Sequence, residues 1–123
     1  MRIRLALCAL ALATLVGCQP PPPGLPQIVR GTVERYLAAW QKSDWVRVYR
    51  MEGRTPGDRP LLHPALTDSL AFFTVNEIRY SDSAAACAVT LRWLYGRRAV
   101  TETGEIYLVR RGLDWRVSDF KSY

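Results

Sequence analysis

Histidine is almost absent from this chain: His63 stands alone among 123 residues, which excludes a multi-histidine metal site. The three cysteines, Cys8, Cys18 and Cys87, form no paired motif. There is no Gly-x-Ser-x-Gly elbow and no phosphate-binding glycine loop, so hydrolase, nucleotide and zinc chemistry lack support. No apolar run approaches a membrane span, since the most apolar stretch, Leu5 to Val16, has 12 residues and a spanning helix needs about 20. Acidic residues are outnumbered, with 11 Asp plus Glu against 17 Lys plus Arg. The length suits one domain.

The apolar stretch follows a basic start, Met1-Arg2-Ile3-Arg4, and precedes Leu15-Val16-Gly17-Cys18. This arrangement resembles a bacterial lipoprotein signal peptide with its lipobox. Small Gly17 lets a peptidase close on the backbone at the scissile bond, and Cys18 supplies the thiol that carries diacylglycerol. The expectation is a cleaved leader over residues 1–17 and attachment to the membrane through lipid on Cys18. Two or three acyl chains hold durably, at about 0.8 kcal/mol per buried methylene. Cleavage leaves 106 residues with 15 basic and 11 acidic side chains, and Cys87 has no intrachain partner, so a disulfide scaffold is excluded. Gln19 stands where many inner-membrane lipoproteins carry Asp, which favours the outer membrane, facing the periplasm. Residues 18–26 hold five prolines and read as a stalk of polyproline II, rising about 3.1 Å per residue.

The remaining residues, 27–123, change grammar once. Val29, Val33, Tyr36, Leu37 and Trp40 recur at threes and fours, predicting a helix over Gln27 to Lys42. Ser43-Asp44 reads as a break and a new N-cap, followed by a second short helix with Trp45, Val48 and Tyr49, ending before Gly53. Glu52 to Pro60 reads as a loop, and His63-Pro64 as the start of a third helix reaching about Leu70. Beyond Ala71 the pattern alternates, predicting strands over Phe73 to Tyr80, Ala84 to Tyr95, Val100 to Arg110 and Trp115 to Lys121. Turns fall at Ser81-Asp82-Ser83, Gly96-Arg97-Arg98 and Gly112-Leu113-Asp114. Helices first and one antiparallel meander of four strands afterwards make an α+β fold.

Glu34 to Trp45 is similar to the first helix and helix-helix corner of the nuclear transport factor-like, or ketosteroid isomerase-like, superfamily, and Tyr107 to Val117 resembles its final hairpin. The resemblance implies a cone, in which a curved sheet wraps the first helix around a pocket lined by Tyr36, Trp40, Tyr49, Leu91, Trp93 and Trp115. It leaves open a homodimer through the sheet. Members include isomerases, dehydratases and assembly modules, so fold alone does not settle function.

By that resemblance Tyr36 falls where the isomerases place a tyrosine that donates to an oxyanion. Its plainer reading is aromatic core filling beside Trp40. Glu105 matches a second donor, an acid kept neutral by burial, or is a strand carboxylate paired with Arg110 or Arg97. The superfamily's general base has no matching motif here; Asp58 sits among Arg54, Arg59 and prolines, where ion pairing on a loop explains it. His63 has the pKa for a base, or caps a helix start. Cys87, in a run of alanines, reads as a small buried group. Arg92, Arg97, Arg98, Arg110, Arg111 and Arg116 gather in the second half, suiting phosphate or carboxylate partners, or a solvated face. No metal or cofactor is implied, and nucleic acid is an unsuitable partner for an exported chain. The favoured function is noncatalytic: an envelope module that binds or assembles with an envelope protein or a small apolar ligand. The alternative is a small-molecule enzyme with Tyr36 as oxyanion donor.

Overall fold

Helix α1 (Leu25–Gln41) and helix α2 (Trp45–Glu52) pack on one antiparallel sheet of β1 (Ser69–Tyr80), β2 (Ala84–Tyr95), β3 (Arg98–Arg111) and β4 (Asp114–Ser122). The computed structural model describes residues 24–55, 61–62 and 69–123. The leader, the lipobox with Cys18, most of the proline stalk, Asp58 and His63 lie outside the described residues. The strands run in the order β1-β2-β3-β4, a simple meander, so the α+β architecture stands as expected. Among the described residues no helix is long and apolar enough to cross a membrane.

Helix α1 forms because its apolar residues share one stripe: Val29, Val33, Tyr36, Leu37 and Trp40 are all buried. It begins at Leu25, so the last residues assigned to the stalk, Leu25 and Pro26, form its first turn. Proline is tolerated there because that turn has no intrahelical acceptor for its missing N–H. The helix ends as Ser43 turns into positive φ (55°), and Asp44 then caps α2 by accepting from the Arg47 N–H at 3.3 Å.

The sheet shows its apolar side to the helices. Along β2, Cys87, Val89, Leu91 and Trp93 are buried, and Ile106, Leu108, Trp115 and Val117 continue that face across β3 and β4. Trp40 sits between two other tryptophans, edge-to-face with Trp45 at 5.0 Å and with Trp93 at 5.6 Å between ring centroids. Gly96 and Gly112, with φ of 61° and 63°, open the two-residue turns that close the β2–β3 and β3–β4 hairpins.

The ends of α1, β3 and β4 differ from expectation by one or two residues, and two other boundaries change what is buried. β1 begins at Ser69, and Leu70, placed by the sequence at the end of a third helix, lies buried opposite Trp93 in the sheet. Burial of that side chain against the core, worth about 1.5–3 kcal/mol, favours the extended conformation. Glu52, read as the first residue of a loop, is the last residue of α2 and is buried. The β1–β2 register slips between Leu70 and Phe72 and again between Val75 and Ile78. At these slips α1 supplies donors: Gln41 Nε2 donates to the Ala71 carbonyl at 2.8 Å, and Arg30 Nη1 to that of Val75 at 2.9 Å. The helix side chains thus donate to β1 carbonyls at or beside both irregularities.

Candidate functional site

Two concentrations of polar groups stand out. The first is buried. Helix α1 turns Tyr36 into the core, and the end of α2 brings Glu52 beneath it, so the Tyr36 hydroxyl donates to Glu52 Oε2 at 2.5 Å. The Leu61 N–H donates to the same oxygen at 3.4 Å, and Arg54 Nε stands 3.8 Å from Oε1. Oε1 and the Trp40 indole N–H are buried with no hydrogen-bond partner among the described residues. Burial pushes the Glu52 carboxyl above its usual range, although Tyr36, Leu61 and Arg54 all favour its charged form. Burial first, then the Glu52 charge, hold the Tyr36 phenol well above its ordinary value, so it remains a donor.

The other sequence candidates do not gather at this pair. Glu105 stands opposite Ala88 in the β2–β3 ladder, out of phase with buried Cys87 and Val89, and so on the sheet face turned away from the helices. Its partner is neither Arg110 nor Arg97 but Arg79, whose Nη2 lies 2.7 Å from Oε1, while Tyr107 donates to Oε2 at 2.7 Å. The Tyr107 hydroxyl, then Tyr123 and Arg79, hold its carboxyl below the usual range. Glu105 is therefore a surface anion, and the sheet separates it from Tyr36. Cys87 is fully buried, its thiol pushed up to about 11 by burial, which fits a small core group.

The second concentration is open. A cavity of about 670 Å³ lies between α1, α2 and the β3–β4 hairpin. Ile28, Thr32 and Arg35 line it from one stripe of α1, and Arg47, Arg50 and Met51 from α2. The hairpin adds Arg111, Leu113, Asp114, Trp115 and Arg116. Of the six residues expected to line a pocket, only Trp115 borders this one. Tyr36, Trp40, Leu91 and Trp93 are packed in the core, and Tyr49 is half-buried on α2. They are consumed by packing because the tryptophans fill the space between α1 and the sheet.

Positive charge dominates this cleft. Among the described residues that line it, Asp114 is the one acidic side chain against five arginines. Arg47 lies 4.0 Å from exposed Asp44, a contact worth little in water. Arg50, Arg111 and Arg116 have no ion pair among the described residues. Gly53 closes α2 at φ 66°, and a Cβ there would come within 2.6 Å of the Arg116 side chain, so the absent side chain makes room for that arginine. Sequence reasoning found Arg111 and Arg116 but missed Arg35, Arg47, Arg50 and Glu52. The signal available was the i, i+3 spacing of Arg47 and Arg50 on a short helix. No group of three or more metal-ligating side chains occurs among the described residues. No protein-family model, curated protein or solved structure matches this chain.

Proposed function

We propose that the chain is a lipid-anchored envelope lipoprotein whose single α+β domain is a noncatalytic binding or assembly module of the nuclear transport factor-like kind, its sheet curved as a cone over α1. It is held by lipid on Cys18, in the outer membrane facing the periplasm, and its partner is an envelope protein or a small apolar ligand. The lipobox-like Leu15-Val16-Gly17-Cys18 supports the anchor. One observation carries the noncatalytic reading: the interior is filled by Trp40 between Trp45 and Trp93, and the Tyr36 hydroxyl is spent on Glu52. An oxyanion donor must meet a substrate, and this one meets a carboxylate of its own chain.

Expression of the full chain in a Gram-negative host with an alkyne-tagged palmitate tests the anchor. The wild type is expected to take the label and fractionate with membranes, and Cys18→Ser to do neither. An unlabelled wild type with an uncleaved leader would overturn the anchor. The enzyme alternative draws on the same Tyr36–Glu52 pair, in which a carboxyl of raised pKa contacts a phenol. It requires Tyr36→Phe to abolish a turnover while leaving the fold intact; the binding-module reading expects the opposite, lost stability and unchanged binding.

A further inference from the structure

We propose that the cleft between α1, α2 and the β3–β4 hairpin binds a phosphate-bearing anionic amphiphile, its phosphate held by the arginines and its apolar stem by the hairpin tip. The proposal deepens the binding-module reading by naming the ligand chemistry.

Charge comes first. Arg35, Arg47, Arg50, Arg111 and Arg116 line a space of about 670 Å³, with Asp114 as the acidic residue among the described lining residues. Guanidinium groups lining one cleft act on a ligand inside it at short range, where salt screens little, so their fields add there. Among the described lining residues, five arginines against one carboxylate leave a surplus of four positive charges. A phosphate group carries up to two charges, offers three or more acceptor oxygens and accepts paired N–H donors from planar guanidinium forks. The five arginines arrive from two helices and two strands, so different sides of one tetrahedral group can be met at once. The folded chain tolerates their mutual repulsion, and a bound anion relieves it.

The cleft also has an apolar border, which inorganic phosphate alone does not require. Leu113, at the tip of the β3–β4 turn, is 90% exposed. Turn tips ordinarily carry polar residues. Ile28, also exposed, Met51 and Trp115 continue this apolar border. Polar forks beside a bare apolar lip match a ligand with a charged head and a hydrocarbon stem. Location agrees with such a source. Ile28 lies four residues into the domain from Gly24, about 6 Å along α1. Six residue steps separate Gly24 from Cys18, at most about 20 Å of chain. With Cys18 lipidated, the cleft is therefore held within reach of phospholipid headgroups.

Calorimetric titration of the full chain in nonionic detergent tests this, using dihexanoyl phosphatidic acid, dihexanoyl phosphatidylcholine and inorganic pyrophosphate as probes. One phosphatidic acid is expected per chain, with little heat from the zwitterionic lipid. Arg50→Glu/Arg111→Glu should weaken binding by about tenfold or more. Arg92→Glu/Arg98→Glu, an equal charge change on β2 and β3 at residues that do not line the cleft, should stay within about twofold. Leu113→Ser should weaken the lipid and spare pyrophosphate. It also serves, with the milder Arg50→Gln, if the double charge reversal fails to fold. Pyrophosphate binding as tightly as the lipid would overturn the amphiphile and leave a site for free phosphate alone. Equal losses in both double variants, equal binding of phosphatidylcholine, or no binding of any phosphate probe would overturn the proposal. Palmitate labelling is read separately, so failure of the cleft and failure of the anchor are distinct results.

Discussion

The buried Tyr36–Glu52 pair and the arginine cleft are both unusual concentrations of polar groups, and they differ in how their charge is answered. The pair is closed on itself: donor meets acceptor, burial disfavours ionisation of both groups, and Arg54 stands near the remaining carboxylate oxygen. The cleft is open, and three of its five arginines have no ion pair among the described residues. A pair that satisfies itself contributes to folding and has little left to offer a ligand. An unanswered cluster of like charge costs folding energy and is stabilised by what it binds. Function is therefore sought in the cleft and stability in the pair.

Substitutions in the two regions should therefore act differently. The largest effect is expected from Trp93→Ala, since Trp93 is buried, packs edge-on against Trp40 and donates to Glu102 at 3.0 Å. Urea unfolding should report a loss of roughly 3–5 kcal/mol. A small loss would mean that the interior is not packed shut and that a pocket behind Tyr36 deserves reconsideration. Tyr36→Phe comes next. It removes the donor at 2.5 Å from buried Glu52, and should cost about 1–3 kcal/mol in the same measurement without altering anion binding.

Glu52→Gln sharpens the contrast through pH. The folded-state pKa of Glu52 is raised, so its folded form holds a proton that the unfolded form has released. Stability from this group is full below the ordinary carboxylate pKa and falls as pH rises toward the folded value. The melting temperature of Glu52→Gln relative to wild type should therefore climb as pH rises above the ordinary carboxylate range. A flat difference would mean that burial does not govern this carboxyl. The smallest stability effect belongs to Arg50→Gln, within about 0.5 kcal/mol of wild type. A large destabilisation there would show the cleft arginines to be structural and would collapse the distinction between the two regions.

Local grammar carried much of the fold. The apolar stripe of α1, the alternation of Val89, Leu91 and Trp93, and the glycines at 96 and 112 are short-range signals, and the elements follow them closely. The misses required distant partners. Glu52 looked like loop because charge next to Gly53 suggests solvent, whereas its burial depends on a tyrosine 16 residues earlier. Glu105 is neutralised by Arg79, 26 residues away across the sheet, rather than by the arginines nearest in sequence. The extension of β1 back to Ser69 rests on Leu70 meeting Trp93. The cleft combines two helix faces with a hairpin tip, and no single segment carries more than part of it.

Nitrogen-resolved NMR of the full chain during titration with dihexanoyl phosphatidic acid compares the two regions within one sample. The guanidinium Nε–H signals of Arg50, Arg111 and Arg116 should move in step with ligand, while the indole N–H signals of Trp40 and Trp93 hold still. Moving indoles with motionless arginines would contradict the assignment and return the site to the interior beside Tyr36.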